Sequence, residues 1–506
     1  MRLFVFAIGG TGSRVLKSLV MLAAAGVRPL DEDGKPLENF ELVPLIIDPH
    51  KSNEDLKRTE SLLNSYRMIR EKLYGRQVNG DGFFAMKIST LQEIMGLTTA
   101  QINDSFVMNM EAVGQCKFRD FIGYDTMNEP NQALSSLLFA DYQLENKMNI
   151  GFVGSPNIGS VALNMVKDSE EFKAFANVFN EGDRIFFISS IFGGTGAAGF
   201  PILVKNIRQA QNIDVSNKSF LQHAPIGGLT VLPYFNLNNS QGKSIDKADF
   251  VVKTQSALQY YNETLTGPND RNVNVIYYLG DQTSSIPYDY DPGNVRDQHD
   301  PAHLVELVGA MAPLKFAGIA GNQIYDSVGG FQPAKAFEYG LEHDLLDVDF
   351  ATFGLETRQL LYKPLVKFHM LFVYLRTGFK SIIGQGYTQD EPKIKSDFAT
   401  SQFYRQLTEH FFDYYTEWLT ELHQNLRHVQ LFNVGEENLA NIIKNVTTRK
   451  TFFGRKSVDN NTLNAELNRL SRDAKHYSDR TVEYKLLDLF NKAAGKVLDD
   501  KYENIN

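Results

Sequence analysis

The chain is poor in cysteine. A single Cys116 among 506 residues excludes an internal disulfide framework and a cysteine-rich metal site, and fits a reducing cytoplasm. Positive charge is in deficit: 51 Lys and Arg face 60 Asp and Glu, for a net charge of −9. Nucleic-acid binding draws on clustered cations, so no nucleic-acid partner is expected. The densest basic group, Arg449, Lys450, Arg455 and Lys456 around Phe452 and Phe453, reads as a solvated loop. Long hydrophobic runs are missing too. The run 366–375 contains Lys367 and His369 and is far short of a membrane span. The opening MRLFVFAIGG ends in glycines without a cleavage site and reads as a buried strand, not a signal peptide. There is no internal repeat, no low-complexity linker and no Ser-His-Asp or Cys-His spacing that stands out.

What remains is an ordinary globular composition, 43% hydrophobic and 22% charged, long enough for two to four domains. Residues 2–8 form an apolar run, followed by Gly9-Gly10-Thr11-Gly12 and a helical apolar spacing over 15–25. That is strand, tight loop, helix. A second strand over 40–47 ends at Asp48. These steps open a parallel, mononucleotide-binding α/β unit. Residues 51–147 read as a largely helical insertion. A strand over 148–153 leads into Gly154-Ser155-Pro156-Asn157-Ile158-Gly159, and DRIFFISS (183–190) is the clearest buried strand. It runs into Phe192-Gly193-Gly194-Thr195-Gly196-Ala197-Ala198 and a helix. Strands over 227–233 and 273–279 flank a helix over 248–261, and 302–319 reads as one buried apolar helix. Past about 330 the pattern turns helical, over 356–375, 401–426, 436–443 and 462–497. The expected organisation is a Rossmann-like nucleotide-binding domain over 1–330, followed by a mainly α-helical domain over 331–506.

Each glycine loop between a strand and a helix start can hold an oxyanion. Glycine admits close backbone approach, and the first-turn N–H groups point at the ligand. One such loop is a weak signal; two can hold two ends of one polyphosphate, with hydroxyls from Thr11, Ser13 and Thr195. Neither loop carries the Lys of a Walker A motif, which disfavours a P-loop NTPase.

The second loop resembles the tubulin/FtsZ signature Gly-Gly-Gly-Thr-Gly-(Ser/Thr)-Gly, with Phe192 replacing its first glycine and Ala198 its last. Other segments are similar to family elements in the same order. Gly9 to Arg14 resembles the first phosphate loop, and Asp48 sits where an acidic residue approaches metal-bound phosphates. Residues 154–159 resemble the γ-phosphate loop, and VLPYFN (231–236) the ribose-side loop, with Asn238 and Gln241 in place of its Glu and Arg. Asp300-Pro301-Ala302-His303 stands where the family places its base-reading Asn, and Leu346-Asp347-Val348-Asp349-Phe350-Ala351 resembles the FtsZ synergy loop. The resemblance spans roughly residues 1–355 and is closest to divergent bacterial tubulin-like proteins.

The resemblance implies a tubulin/FtsZ-type fold binding GTP or GDP with Mg²⁺. It implies nucleotide contacts from Gly9, Gly10, Thr11, Gly12, Ser13, Asp48, Gly154, Asn157, Gly193, Gly194, Thr195, Gly196, Asn238, Asp300 and His303, with Asp48 on the metal through water. It further implies a slow, weak GTPase with a site shared between subunits of a homo-oligomer or filament, Asp347 and Asp349 polarising water for the neighbour. Thr352 stands where FtsZ has a second carboxylate. Protein partners would meet the helical C-terminal part. Plainer readings stand beside these: Asp48 or Asp349 as turn caps, Asp300 as a helix start, His303 as a packed core residue, and Trp418 with Phe411, Phe412, Tyr414 and Tyr415 as helix packing. Gly10-Thr11-Gly12 with Asp48 also mimics an NAD(P) fingerprint, although Val15 replaces its third small residue and the spacing to Asp48 exceeds the ~20 residues expected. A third reading is an interaction protein whose nucleotide site has decayed.

Overall fold

The structure is a computed structural model that describes the chain apart from residues 79, 97–101, 115, 150, 153, 211–214, 216, 236, 240–246, 268–270, 283–287, 291–298, 341, 343, 378–381, 452–453, 456–457, 474–479 and 504–506. Seven parallel strands form the central sheet: β1 (Arg2–Ile8), β2 (Glu41–Ile47), β3 (Lys87–Ile88), β4 (Arg184–Ser190), β5 (Ile226–Val231), β6 (Val275–Leu279) and β7 (Lys335–Tyr339). Their order is β3-β2-β1-β4-β5-β6-β7, and every pairing is parallel. Parallel strands need crossovers that cover both faces, which is why they read as continuous apolar runs.

The pleat sorts the two cores. Leu3, Val5 and Ala7 of β1 enter one hydrophobic cluster, while Phe4, Phe6 and Ile8 enter the other. On the first face lie α1 (Gly9–Ala24), α2 (Glu54–Tyr74) and the pair α6 (Leu304–Gly309) and α7 (Met311–Ala317). On the second lie α3 (Pro156–Leu163), α4 (Gly194–Arg208) and α5 (Lys247–Thr264). The C-terminal part is mainly helical, with α8 (Leu355–Arg376), α9 (Phe412–Gln424), α10 (Asn460–Asp473) and α11 (Val482–Lys501). Its apolar side chains belong to the same cluster as α1 and α2. Trp418, Phe411, Phe412 and Tyr415 are buried there.

Several elements differ from the sequence reading. The two-residue β3 joins the sheet edge from within the segment expected to be helical. The segment 148–153 holds an isolated Asn149–Gly151 bridge in place of a strand, with Gly151 and Gly154 at φ 83° and 67°, a left-handed backbone that a strand does not use; Ile150 and Val153 lie outside the described residues. The apolar helix over 302–319 is two helices joined at Ala310. Pro313 has no N–H to donate to Gly309, four residues earlier, so the ladder breaks at that point. Over 436–443 there is only a 3₁₀ turn, Leu439–Asn441, because Phe432 bridges Ile443 and folds the segment back. The strand β7 lies beyond residue 330, where strands were expected to give way to helices. In the basic cluster, Phe452, Phe453 and Lys456 lie outside the described residues.

Candidate functional site

The strand register brings the two glycine loops together. Ile8 of β1 pairs with Ile47 of β2, so Asp48 lies beside Gly9. Ala7 pairs with Ile188 of β4, so Gly9 lies level with Ser190, three residues before Gly193. A Cβ built on Gly9 would lie 3.6 Å from Thr195 Cβ and 3.8 Å from Gly196 N. The helices α1 and α4 therefore begin next to each other at the carboxyl edge of adjacent strands. Neither has an acidic residue in its first turn, and neither N-cap, Ile8 or Gly193, supplies a side-chain cap. Helix α3 begins nearby under the same conditions, at Ser155, and Gly159 sits against Gly194 O and Ala198. Three uncapped positive helix ends converge on one spot.

Not every glycine faces that spot. A Cβ on Gly12 would lie 2.7 Å from Ala7 C, and one on Gly196 would lie 2.8 Å from Ser190 O. These two let helix starts lie flat on the strand before them. A Cβ on Gly194 would meet Phe152 Cβ at 3.0 Å and Gly154 N at 3.1 Å, so Phe152 and Gly154 pack against the second loop. Gly10 has more room, with Arg14 Nη1 and Asn53 Nδ2 at 3.6 and 3.7 Å from such a Cβ. The Ser13 hydroxyl is fully buried and donates to Gly9 O at 3.3 Å. Asn157 is exposed and bonds Gln143 and Leu138 O. Gly193 and Thr195 are half-buried. The backbone of Asn238 lies on a short strand, Leu237–Asn239, paired with Tyr288–Tyr290; its side chain, and all of Gln241, lie outside the described residues. Phe192 is buried against Phe235, ring centroids 5.5 Å apart, so the departure at this position serves the core.

The residue that organises the neighbourhood is Arg14, which the sequence reading passed over. Arg14 is buried. Its Nε donates to Glu306 Oε1 at 2.7 Å, Nη1 to Asp55 Oδ2 at 2.9 Å and to Asp300 Oδ2 at 2.8 Å, and Nη2 to the Tyr234 hydroxyl at 2.9 Å. Tyr234 donates in turn to Glu306 Oε1 at 2.8 Å. Burial opposes the guanidinium charge, yet Tyr234, Asp300, Glu306 and Asp55 together push its pKa well above the ordinary value. Three carboxyls share this one cation. Burial then lifts Asp300 to about 7 despite Arg14, and lifts Asp55 as well. Asp300 is thus more than a helix start: it belongs to this network and keeps 18% of its side chain exposed. His303 takes the core role. It is buried, accepts the Val305 N–H on Nδ1 at 3.0 Å and caps α6, and burial lowers it to about 4.

Asp48 is buried beside the first loop. One oxygen accepts the His50 N–H at 2.9 Å. Burial raises its pKa to about 7, and it has no ion-pair partner among the described residues. A second layer ties the site to the C-terminal helices. Lys17 Nζ meets Glu421 Oε2 at 2.8 Å, Arg58 pairs with Glu417 and Glu421, and Trp418 Nε1 donates to Ser18 Oγ at 3.1 Å. His299, Glu417 and Glu421 come close enough to share a cation, but Arg58 and Lys17 already compensate those carboxylates.

Asp347 and Asp349 lie apart from the glycine loops, at a two-stranded pair of Asp347–Val348 with His428–Val429. Asp349 caps its own turn: Oδ1 accepts from Ala351 N at 2.8 Å and Thr352 N at 3.2 Å, and Oδ2 from Asn445 Nδ2 at 2.6 Å. The side chain of Asp347 is 78% exposed, with His428 Nδ1 at 3.5 Å.

No family model matches the chain, and no curated protein matches it. Among solved structures, one similar chain is CetZ2 from Haloferax volcanii, in a GTPγS-bound protofilament. It is 12% identical with a TM-score of 0.26, over 65% of this chain and 61% of that one. Among the described residues no helix is long and apolar enough to cross a membrane.

Proposed function

We propose that this chain binds a guanine nucleotide, GTP or GDP, at the joined N-termini of α1 and α4, and hydrolyses GTP slowly. The observation that carries the reading is the convergence of three helix N-termini with neither acids nor side-chain caps. First-turn N–H groups at Gly10, Thr11, Gly194 and Thr195 supply donors, and the helix dipoles favour negative charge. Thr11 and Thr195 add hydroxyls. A dinucleotide fingerprint would use the first loop and leave the second without a role.

For magnesium, the donors fit. Asp48 is a buried carboxyl without a cationic partner among the described residues, beside the first loop, and Mg²⁺ is held by one or two carboxylates, waters and phosphate oxygens. Asp48 would hold the ion directly or through water, and the ion would offset charge on the phosphates. Base recognition falls to Asp300, whose carboxylate can accept from guanine N1–H and the exocyclic amine, with Arg14 fixing its orientation. In hydrolysis Asp347 is the more available carboxylate, because Asp349 is occupied as a cap. Both lie on a separate surface element, so a second copy of the chain would supply them.

Titration calorimetry of nucleotide-free protein tests the reading. GTP and GDP bind more tightly than ATP and NAD, and Gly10→Val weakens GTP at least tenfold in a folded protein. Equal affinity for ATP overturns the base assignment; unchanged affinity in Gly10→Val overturns the site.

A further inference from the structure

A second cleft opens at the carboxyl ends of β5, β6 and β7, with a volume of about 890 Å³. That is within the size range of small-molecule pockets, ~300–1,000 Å³. It lies where open parallel sheets receive ligands, outside the strand ends, but over different strands from the glycine loops. Leu232 follows β5, Tyr278 belongs to β6, and α5 contributes Leu258 and Thr254. These give an apolar wall with aromatic area.

The polar side chains are unevenly placed, with Gln255, Asp281, Gln282, Glu338 and Arg427 among the lining residues. Asp281 and Arg427 line one end, but they satisfy each other, with Arg427 Nε 2.8 and 2.6 Å from the two carboxylate oxygens. Among the described lining residues one charge is left over. Glu338, on the edge strand β7, is exposed and has no ion-pair partner among the described residues. Its charge is felt at Tyr278, whose hydroxyl burial first and Glu338 second push upward.

We propose that this cleft binds a small amphiphilic organic cation. Its apolar body lies on Leu232, Leu258 and Tyr278, and its amine or guanidinium meets Glu338. A metal ion does not suit a cleft this wide and apolar. An anion does not suit one whose only uncompensated charge among the described residues is a carboxylate. The inference stands whether or not the glycine loops hold a nucleotide.

The probe is dansylcadaverine, an apolar fluorophore with a primary amine, titrated into the full chain beside N-pentyl dansylamide, its neutral counterpart. The amine binds saturably, one per chain, about fivefold more tightly than the neutral probe, as one partly exposed charge pair allows. Glu338→Gln, on an exposed strand, leaves the fold intact and equalises the two probes. Leu258→Trp places an indole on the apolar wall where the probe body lies and weakens both. Saturating GDP leaves the probe bound. Absence of saturable binding, equal affinity of the two probes for the unaltered chain, a preference that persists in Glu338→Gln, or displacement by GDP overturns the proposal. If Leu258→Trp fails to fold, the Glu338→Gln comparison decides alone.

Discussion

Replacing Asp48 by Asn isolates the cost of the buried carboxyl beside the first glycine loop. Asn keeps the shape and the oxygen that accepts the His50 N–H, and removes the charge. Burial raises this carboxyl from 3.8 to about 7. At 1.36 kcal/mol per pKa unit, that shift of about three units sets an upper bound near 4 kcal/mol. The sign follows from proton counting. Between pH 4 and pH 7 the folded protein holds a proton that the unfolded chain has released, so stability falls as pH rises. The contribution is fully present below about pH 4 and lost once the pH passes 7. At pH 5 the loss is about 2 kcal/mol, and above pH 7 it approaches the bound. The assay is urea denaturation of nucleotide-free protein in EDTA at pH 5, 7 and 8.5. Asp48→Asn should be more stable than the original chain, by a margin that widens by about 2 kcal/mol from pH 5 to pH 8.5. Parallel pH profiles would refute the reasoning, because the carboxyl would then titrate at the same pH in the folded and unfolded states.

With nucleotide present the same position should act in the opposite sense: Asp48→Ala weakens magnesium-dependent GTP binding more than magnesium-free binding, and an equal effect in calorimetry assigns Asp48 to a ribose or structural role. Arg14→Leu leaves Asp55, Asp300 and Glu306 without their shared cation; breaking a buried pair costs about 3–5 kcal/mol, read as a lowered urea midpoint, and a change under 1 kcal/mol argues against the network. Asp349→Asn keeps the oxygen that caps the turn and removes the charge, whereas Asp349→Ala loses the cap as well, at about 1 kcal/mol of stability. If Asp349 serves only as a cap, GTP turnover in Asp349→Asn is unchanged while Asp347→Asn lowers it. Turnover per molecule rises with protein concentration if the carboxylates come from a second copy, and constant turnover over a hundredfold range contradicts that.

The sheet was legible because buried parallel strands leave a plain trace. Residues 3–8 and 185–188 are continuous apolar runs, and each is followed within five residues by glycines that begin a helix. The C-terminal helices showed their apolar spacing except over 436–443, which is only a 3₁₀ turn, and upstream of them Pro313 divides the apolar segment 302–319 into two helices. The loops were harder. Residues 148–153 carry apolar side chains, but left-handed Gly151 and Gly154 turn the chain, and only the backbone conformation shows it. The site was half legible. Glycines mark helix starts, but spacing alone does not separate Gly12 and Gly196, which admit strand contact, from Gly10, which leaves space. Arg14 escaped because its partners lie 41, 286 and 292 residues away. A signal existed in Glu306, a carboxylate on an otherwise apolar helix, which requires a buried cation somewhere.

The central claim is that the joined N-termini of α1 and α4 hold a guanine nucleotide. The most direct test is to denature freshly purified protein and identify what it releases. The account predicts GDP or GTP from the unaltered chain and none from a folded Gly10→Val variant. Release of NAD, or of no nucleotide from a folded chain, would contradict it.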